Sequence, residues 1–261
     1  LCAVVDEATI NEVLTNDVVE ERVTLWDKER KDFVERVTVK LDRMRLSEDT
    51  RRPSPNDSTV TAIMEYLVQQ RLTPLPWTSA TSELRARISF LRREIGEPWP
   101  DCSDKALIAT SEEWLRPYLA GMTSISDIKE LNLGMLLRSQ LPWPEGGQID
   151  DLVPSTLELA SGRSLPIDYA SAVKEGTAPV VRVRVQDLFG TKTHPTVAGG
   201  RVPLVLHLLS PADRPIQVTA DLPGFWSGSW IDVKKDIAGR YPKHQWPDDP
   251  ANADPKRMKD R

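Results

Sequence analysis

The sequence predicts an α+β chain: an N-terminal β-hairpin, a central multi-helix unit, and a C-terminal antiparallel sheet with one packed helix and an extended basic-aromatic tail. Three observations predict it. Apolar residues alternate near the N-terminus, recur at a helical period between residues 57 and 152, and alternate again past Leu152. Arg51-Arg52-Pro53-Ser54-Pro55-Asn56 is a linker by composition. Strands and helices are therefore segregated over 1–50, 51–152 and 153–261, the α+β arrangement.

In chain order, residues 6–16 suit one short helix. Glu21, Val23 and Leu25 begin a strand. A charged turn at 27–31 leads to a second, with Phe33, Val37, Val39 and Leu41 on one face. Two strands alone are barely stable in water, so further strands or the downstream helices must cover them. That need, with a start at Leu1 and not Met, reads as a piece of a longer polypeptide.

Past the linker, Val60, Ile63, Met64, Leu67 and Val68 form one apolar stripe, and Leu84, Ile88, Leu91 and Ile95 another, stopped by Gly96 and Pro98. The second helix carries Arg85, Arg87, Arg92 and Arg93, expected as a solvated face paired to nearby acids. Thr110 to Glu113 fits a capping box. Residues 126–140 suit one more helix, with Ile128, Leu131, Met135 and Leu136 inward, broken by Leu141-Pro142-Trp143-Pro144.

Strands are expected at 155–159, 164–169, 179–185, 202–209 and 216–219. In the third, Val181, Val183 and Val185 alternate with Arg182 and Arg184, which makes one face basic. His207, within the apolar fourth, reads as a satisfied core histidine. The role of His194 is left open by its loop position. Asp221 is a good N-cap, and Trp226, Trp230, Val233 and Ile237 share one helical stripe. Lys234 and Lys235 suit the last turn, and Gly239 suits a left-handed stop. Beyond it, Pro242 and Pro247 forbid a helix in Arg240-Tyr241-Pro242-Lys243-His244-Gln245-Trp246-Pro247. That arm is either a tail pinned by Trp246 or a nucleic-acid contact, cations on phosphate and aromatics on bases.

Composition narrows the function. A length of 261 residues suits about two domains, and 39% apolar with 28% charged residues is ordinary for a globular protein. No run approaches the roughly 18 apolar residues of a membrane helix. Cys2, Cys102 and three scattered histidines offer no disulfide framework and no zinc site. A reducing compartment fits: the cytoplasm, or an organelle stroma in a eukaryote. The net charge of −5 argues against a surface basic all over. Yet residues up to Leu152 hold 19 basic and 27 acidic side chains, and those from Val153 onward hold 15 and 12. The second portion is the place for a nucleic acid.

DLPGFWSGSW, VKK and GRYPKHQWPDDP resemble the extreme C-terminus of HrpB-type bacterial ATP-dependent helicases, a group of DExH-box RNA helicases. GEPWPD (96–101), EEWLRPYLAG (112–121), LPWP (141–144), VRVQDLFG (183–190), THPTVAGGRVP (193–203) and LHLLSPADRPIQVT (206–219) are similar to the same family, in its order. The likeness is dense from about Leu75 to Trp246. Before Leu75 the hairpin is similar to the end of the OB-like barrel that precedes this region in the family. Gln245, Ser155-Thr156 and Ala160 depart from the family's pattern.

The resemblance implies an accessory C-terminal region that contacts single-stranded RNA and braces motor domains absent from this chain. ATP and magnesium would bind those motor domains, and no cofactor is expected here. A GxxxxGK[ST] loop and an acidic magnesium motif are both missing from the sequence. Gly190-Thr191-Lys192-Thr193 is the nearest string and reads as a loop. No catalytic residue is nominated, so any turnover by this chain is uncertain. The expected RNA contacts are Arg182, Arg184, Arg201, Lys234, Lys235, Arg240, Tyr241, Lys243, His244 and Trp246. An alternative is a protein-interaction module for a helicase motor or ribonucleoprotein, motivated by the Trp-Pro corners at Trp77, Trp99 and Trp143.

Overall fold

A computed structural model describes residues 18–255 of the chain. The expected helix over 6–16 and the basic ending past Pro255 lie outside the described residues. Strands β1 (Val18–Asp27), β2 (Asp32–Leu41) and β3 (Met44–Arg51) come first. Helices α1 (Asp57–Gln69), α2 (Ser79–Glu94), α3 (Asp104–Ala109), α4 (Ser111–Trp114), α5 (Ile125–Lys129), α6 (Leu133–Ser139) and α7 (Ile149–Leu152) follow. Then come β4 (Thr156–Glu158), β5 (Ser164–Pro166), α8 (Tyr169–Glu175), β6 (Val180–Arg184), β7 (Thr196–Val197), β8 (Val202–Pro203), β9 (Val205–Leu209) and β10 (Pro215–Thr219). Two helices close the list, α9 (Leu222–Ser227) and α10 (Trp230–Ala238). The result is a mixed helix and sheet fold, as the α+β reading requires. Backbone packing groups it into two compact units, 1–78 with 103–139 and 79–102 with 140–261.

In the first unit the hairpin is a three-stranded antiparallel meander, not a two-stranded one. Its third strand, MRLSEDTR, is polar and mostly exposed, so it shows no alternation. Such charge is how an edge strand avoids pairing with other chains. Arg51 on β3 donates to the buried Glu35 on β2 at 2.6 Å. Asn56 caps α1 by accepting from the Thr59 N–H at 2.9 Å, and Val60, Ile63, Met64 and Leu67 are buried as predicted. Tyr66 stacks on Trp26 at 4.1 Å and meets Phe33 edge-on at 5.4 Å, which joins helix to sheet.

The expected capping box at Thr110 is not made. The preceding helix α3 runs up to Thr110, whose hydroxyl donates back to the Ala106 carbonyl at 3.0 Å. A full box forms instead at Ser124 and Asp127. The single helix over 126–140 is broken into α5 and α6, because Asn132 caps a new start by accepting from Met135 N–H at 3.0 Å. Met135 consequently faces solvent, contrary to expectation.

In the second unit, Leu84, Ile88 and Leu91 of α2 are buried, and Gly96 (φ +85°) ends the segment in the left-handed region. The arginines of α2 are only in part the solvated, acid-paired face expected. The exposed Arg93 pairs with Glu94 and Arg92 with the exposed Glu97, but both of them, and Arg87, also reach backbone. Arg87 is 5% exposed and donates to the Val153 carbonyl at 2.6 Å. Arg93 donates to the carbonyls of Ala172 at 2.7 Å and Thr177 at 2.6 Å, and Arg92 to that of Trp99 at 3.0 Å. These guanidiniums tie α2 to the backbone around Trp99 and Val153 and to the C-terminal end of α8. Phe90 of α2 meets Tyr169 of α8 edge-on at 5.3 Å.

The main sheet has the order β10-β9-β6. β9 and β10 are antiparallel, but β6 and β9 run parallel, which corrects the all-antiparallel expectation. Strands joined by the short 210–214 turn must reverse, whereas the long connection over 185–204 leaves room for a parallel return. The segments around 156 and 165 pair with each other as a two-stranded sheet β4-β5, which reaches β6 through one antiparallel bridge between Asp168 and Val180. Val181, Val183, Leu206 and Leu208 face the core.

Candidate nucleic-acid interface

All the expected contact residues lie in the second unit. With Val181 and Val183 turned inward, β6 places Arg182 on the outer face of the sheet. The register sets Arg182 opposite His207 and His207 opposite Val218, one row across three strands. His207 is thus half-buried on the outer face and not in the core, because its neighbours Leu206 and Leu208 take the inner positions. Arg182 is exposed and forms no ion pair among the described residues.

Arg184 is differently placed. It grips Asp213 with two bonds of 2.8 and 2.7 Å, and so clamps the β9–β10 turn to β6. The Arg184 hydrogen bond holds the Asp213 carboxyl below the usual carboxylate range, and Asp213 raises Arg184 in return. Arg201 is exposed in the turn between β7 and β8. His194 is structural. Its Nδ1 accepts from the Leu222 N–H at 3.0 Å, which leaves Nε2 to donate to the Leu204 carbonyl at 2.7 Å.

The helix expected after Asp221 is two helices. Asp221 caps the first, accepting from Gly224 N–H at 3.0 Å. Ser227-Gly228-Ser229 then breaks it, since glycine and serine are poor helix formers and Gly228 leaves helical geometry (φ −112°, ψ −93°). The predicted stripe survives the break in most of its length, with Trp226, Trp230 and Ile237 buried and Val233 half-buried. Gly239 is right-handed (φ −63°, ψ −34°), so it is not the left-handed stop. The chain turns at 241–244 instead.

The arm does not extend from this unit. It folds back onto the aromatic cluster of Phe189, Phe225, Trp226 and Trp230. Trp246 lies 6.2 Å from Trp230 between ring centroids, and its indole N–H donates to the Tyr241 carbonyl at 3.0 Å. The Trp230 indole donates to the Pro247 carbonyl at 3.0 Å, and Lys234 pairs with Asp248 at 2.5 Å. Trp246 and Lys234 are therefore fasteners of the tail. Tyr241 shares a 3.3 Å hydroxyl bond with Ser210.

The fold-back leaves the other arm cations at the surface. Arg240 is 65% exposed and sits 3.4 Å from the equally exposed Asp236. An exposed pair of that length is worth about 1 kcal/mol at most and is easily exchanged. Lys235 and Lys243 are exposed, and His244 is half-buried. Arg240 and Tyr241 line a cleft of about 320 Å³ together with Arg214, Asp232 and Asp236. Lys243 and His244 line another of about 370 Å³ with Gln186, Phe189, Gln245 and Asp254. Arg182, Arg184 and Arg201 line neither cleft. Sequence reasoning missed Arg214 and the amides of Gln186 and Gln245. The only signal for Arg214 was its place in the turn next to β9. Among the described residues no His, Cys, Asp or Glu cluster is placed to hold a metal ion.

Comparison with known proteins gives concordant matches. The HrpB_C family, described as ATP-dependent helicase C-terminal, matches residues 114–250. The ATP-dependent RNA helicase HrpB of Escherichia coli K12 is 40% identical over 207 residues, which cover 79% of this chain and 25% of that protein. The chain thus spans about a quarter of the length of that curated relative. A crystal structure of the E. coli DExH-box NTPase HrpB superposes with a TM-score of 0.76 at 34% identity, over 98% of this chain and 31% of that one. A second, of the E. coli DEAH/RHA helicase HrpB, gives 0.65 at 32% identity, over 88% and 29%.

Proposed function

Because the chain belongs to the HrpB-type ATP-dependent helicase family, as part of its C-terminal region, we propose that it is an accessory region that contacts single-stranded RNA and braces motor domains absent from this sequence. In this reading ATP and magnesium belong to those motor domains. Residues 1–50 are the remnant of an OB-like barrel, 51–152 a helical domain, and 153–261 the part that touches RNA. The protein works in the cytoplasm.

The observation that supports RNA contact is the arm. Its folding back puts Arg240 and Lys243 at the surface on either side of Tyr241, in the half of the chain with a basic balance. A guanidinium held, among the described residues, by a 3.4 Å exposed pair exchanges that carboxylate for a phosphate at little cost. Arg182 adds a third exposed cation on the sheet face. Arg184, Lys234 and Trp246 contribute by holding the strand turn and the tail in place.

The experiment is a titration of labelled single-stranded RNA at several salt concentrations. Each lost phosphate contact lowers the log–log salt slope by roughly 0.7 on a single strand, so Arg240→Ala with Lys243→Ala should lower it by about 1.4. Equal slopes in the pair and the wild type would remove the arm from the site.

One observation favours a protein partner at a separate place. Trp143 is 90% exposed in its Pro-Trp-Pro corner, while Trp99 is only 2% exposed. An indole left in water is a natural anchor for a docking surface. In this second reading Trp143 docks on the motor, and Trp143→Ala should abolish capture of a separately expressed motor without RNA.

A further inference from the structure

The loop Gly190-Thr191-Lys192-Thr193 acquires a setting that its sequence does not reveal. It forms part of a cleft of about 490 Å³, walled by the half-buried Leu157 and Pro195 and also lined by Glu158. That volume lies within the roughly 300–1,000 Å³ typical of small-ligand sites. We propose that this cleft seats one nucleotide of a single-stranded RNA, its phosphodiester on Lys192 and Thr193 and its base against the apolar wall. The proposal rests on the RNA reading above and adds residues outside the arm and the sheet face.

The loop is fixed in place. The Gly190 N–H donates to the Pro250 carbonyl at 2.9 Å, and the Thr191 carbonyl accepts from the Trp226 indole at 3.0 Å. Gly190 has φ +81°, and a Cβ there would stand 3.0 Å from the Ala253 carbonyl oxygen, so the loop is pressed onto the tail segment. Preorganisation of that kind lowers the entropy cost of binding.

The chemistry selects the ligand. The N–H groups of Gly190 and Thr191 are spent, on Pro250 and on Leu188, so no run of backbone donors can cradle a triphosphate. The side-chain donors on the loop are the exposed Lys192 ammonium, which forms no ion pair among the described residues, and the exposed Thr193 hydroxyl. Two donors suit a single phosphodiester. Glu158 reinforces the choice. Its carboxylate accepts from the hydroxyls of Thr156 at 3.1 Å and Ser164 at 2.6 Å, and its charge repels a multiply charged anion more than a singly charged one. Leucine and proline walls favour the flat apolar face of a base over bare phosphate.

The test is RNA titration of the full chain carrying Lys192→Ala or Ala160→Phe, both exposed positions of the cleft. Lys192→Ala should bind roughly three- to tenfold more weakly at low salt, with a slope shallower by about 0.7. Ala160→Phe should weaken binding by obstruction and leave the slope unchanged. Either variant binding like the wild type overturns the seated nucleotide while leaving the arm assignment intact, provided the Arg240→Ala and Lys243→Ala pair is impaired. A wild-type chain that binds no RNA overturns both. Inorganic phosphate at matched ionic strength should not displace the RNA, and displacement lost in Lys192→Ala would reassign the cleft to free anions.

Discussion

Replacing Arg87 by methionine keeps the aliphatic stem and deletes the guanidinium. The structure sets the cost. Arg87 Nε donates to the carbonyl of the fully buried Val153 at 2.6 Å, and a hydrogen bond to a charged donor is worth about 1.5–3 kcal/mol net. The contact to the Ile149 carbonyl, at 3.5 Å, is too long to add much, and that oxygen keeps its bond from Val153 N–H when Arg87 is replaced. Asp150 pairs with Arg87 through a carboxylate that is 63% exposed, so the pair is worth about 1 kcal/mol at most. The sum is about 2–4 kcal/mol, most of it from the stranded carbonyl. Equilibrium urea unfolding, with amide exchange along α2 to isolate the second unit, should show this loss for Arg87→Met. Asp150→Asn should lose less than about 1 kcal/mol. Equal losses in the two variants would mean that the ion pair, and not the carbonyl, carries the energy, and would refute the reasoning.

Two further predictions concern smaller features. The Asp127 carboxyl is held below the usual range, chiefly by the Thr123 N–H and then by Ser124. A depressed folded pKa means its stabilisation is present above the unfolded value of about 3.9 and is lost as pH falls through the folded one. Asp127→Asn should therefore flatten the acid limb of a stability–pH curve below about pH 4, and an unchanged limb would remove Asp127 from it. His194→Ala leaves the Leu222 N–H and the Leu204 carbonyl without a partner and should cost about 1–3 kcal/mol in urea unfolding, while His194→Asn loses less if its amide reaches either group.

The stripes of α1 and α2 were legible because each repeats over several turns, and burial follows the period there. The alternation of β6 was equally legible. Other features were hidden for physical reasons. β3 is an edge strand whose charged residues erase alternation, and the parallel pairing of β6 with β9 depends on a long connection that no local pattern encodes. The break at Gly228 left the offsets of Trp226, Trp230 and Ile237 undisturbed, so periodicity could not report it. Arg87 reads as surface in any pattern, and only tertiary structure brings buried carbonyls to it.

Within the candidate interface, sequence found the cations but not their partners. Arg184 and Lys234 are engaged by Asp213 and Asp248, which lie 29 and 14 residues further along the chain. Trp246 was seen both as a stacking platform and as a pin, and its indole contacts with Tyr241 and Trp230 match the pin. Arg214 joins Arg240 in one cleft only because the β9–β10 turn comes back beside α10.

The claim most in need of a direct measurement is that RNA lies on the second unit. Photo-crosslinking of single-stranded RNA to the full chain, with the adducts located by mass spectrometry, addresses it. Adducts should concentrate on peptides spanning 182–214 and 240–246, and disappear when salt is raised. Adducts confined to residues 18–78 and 103–139, or none at any salt concentration, would contradict it.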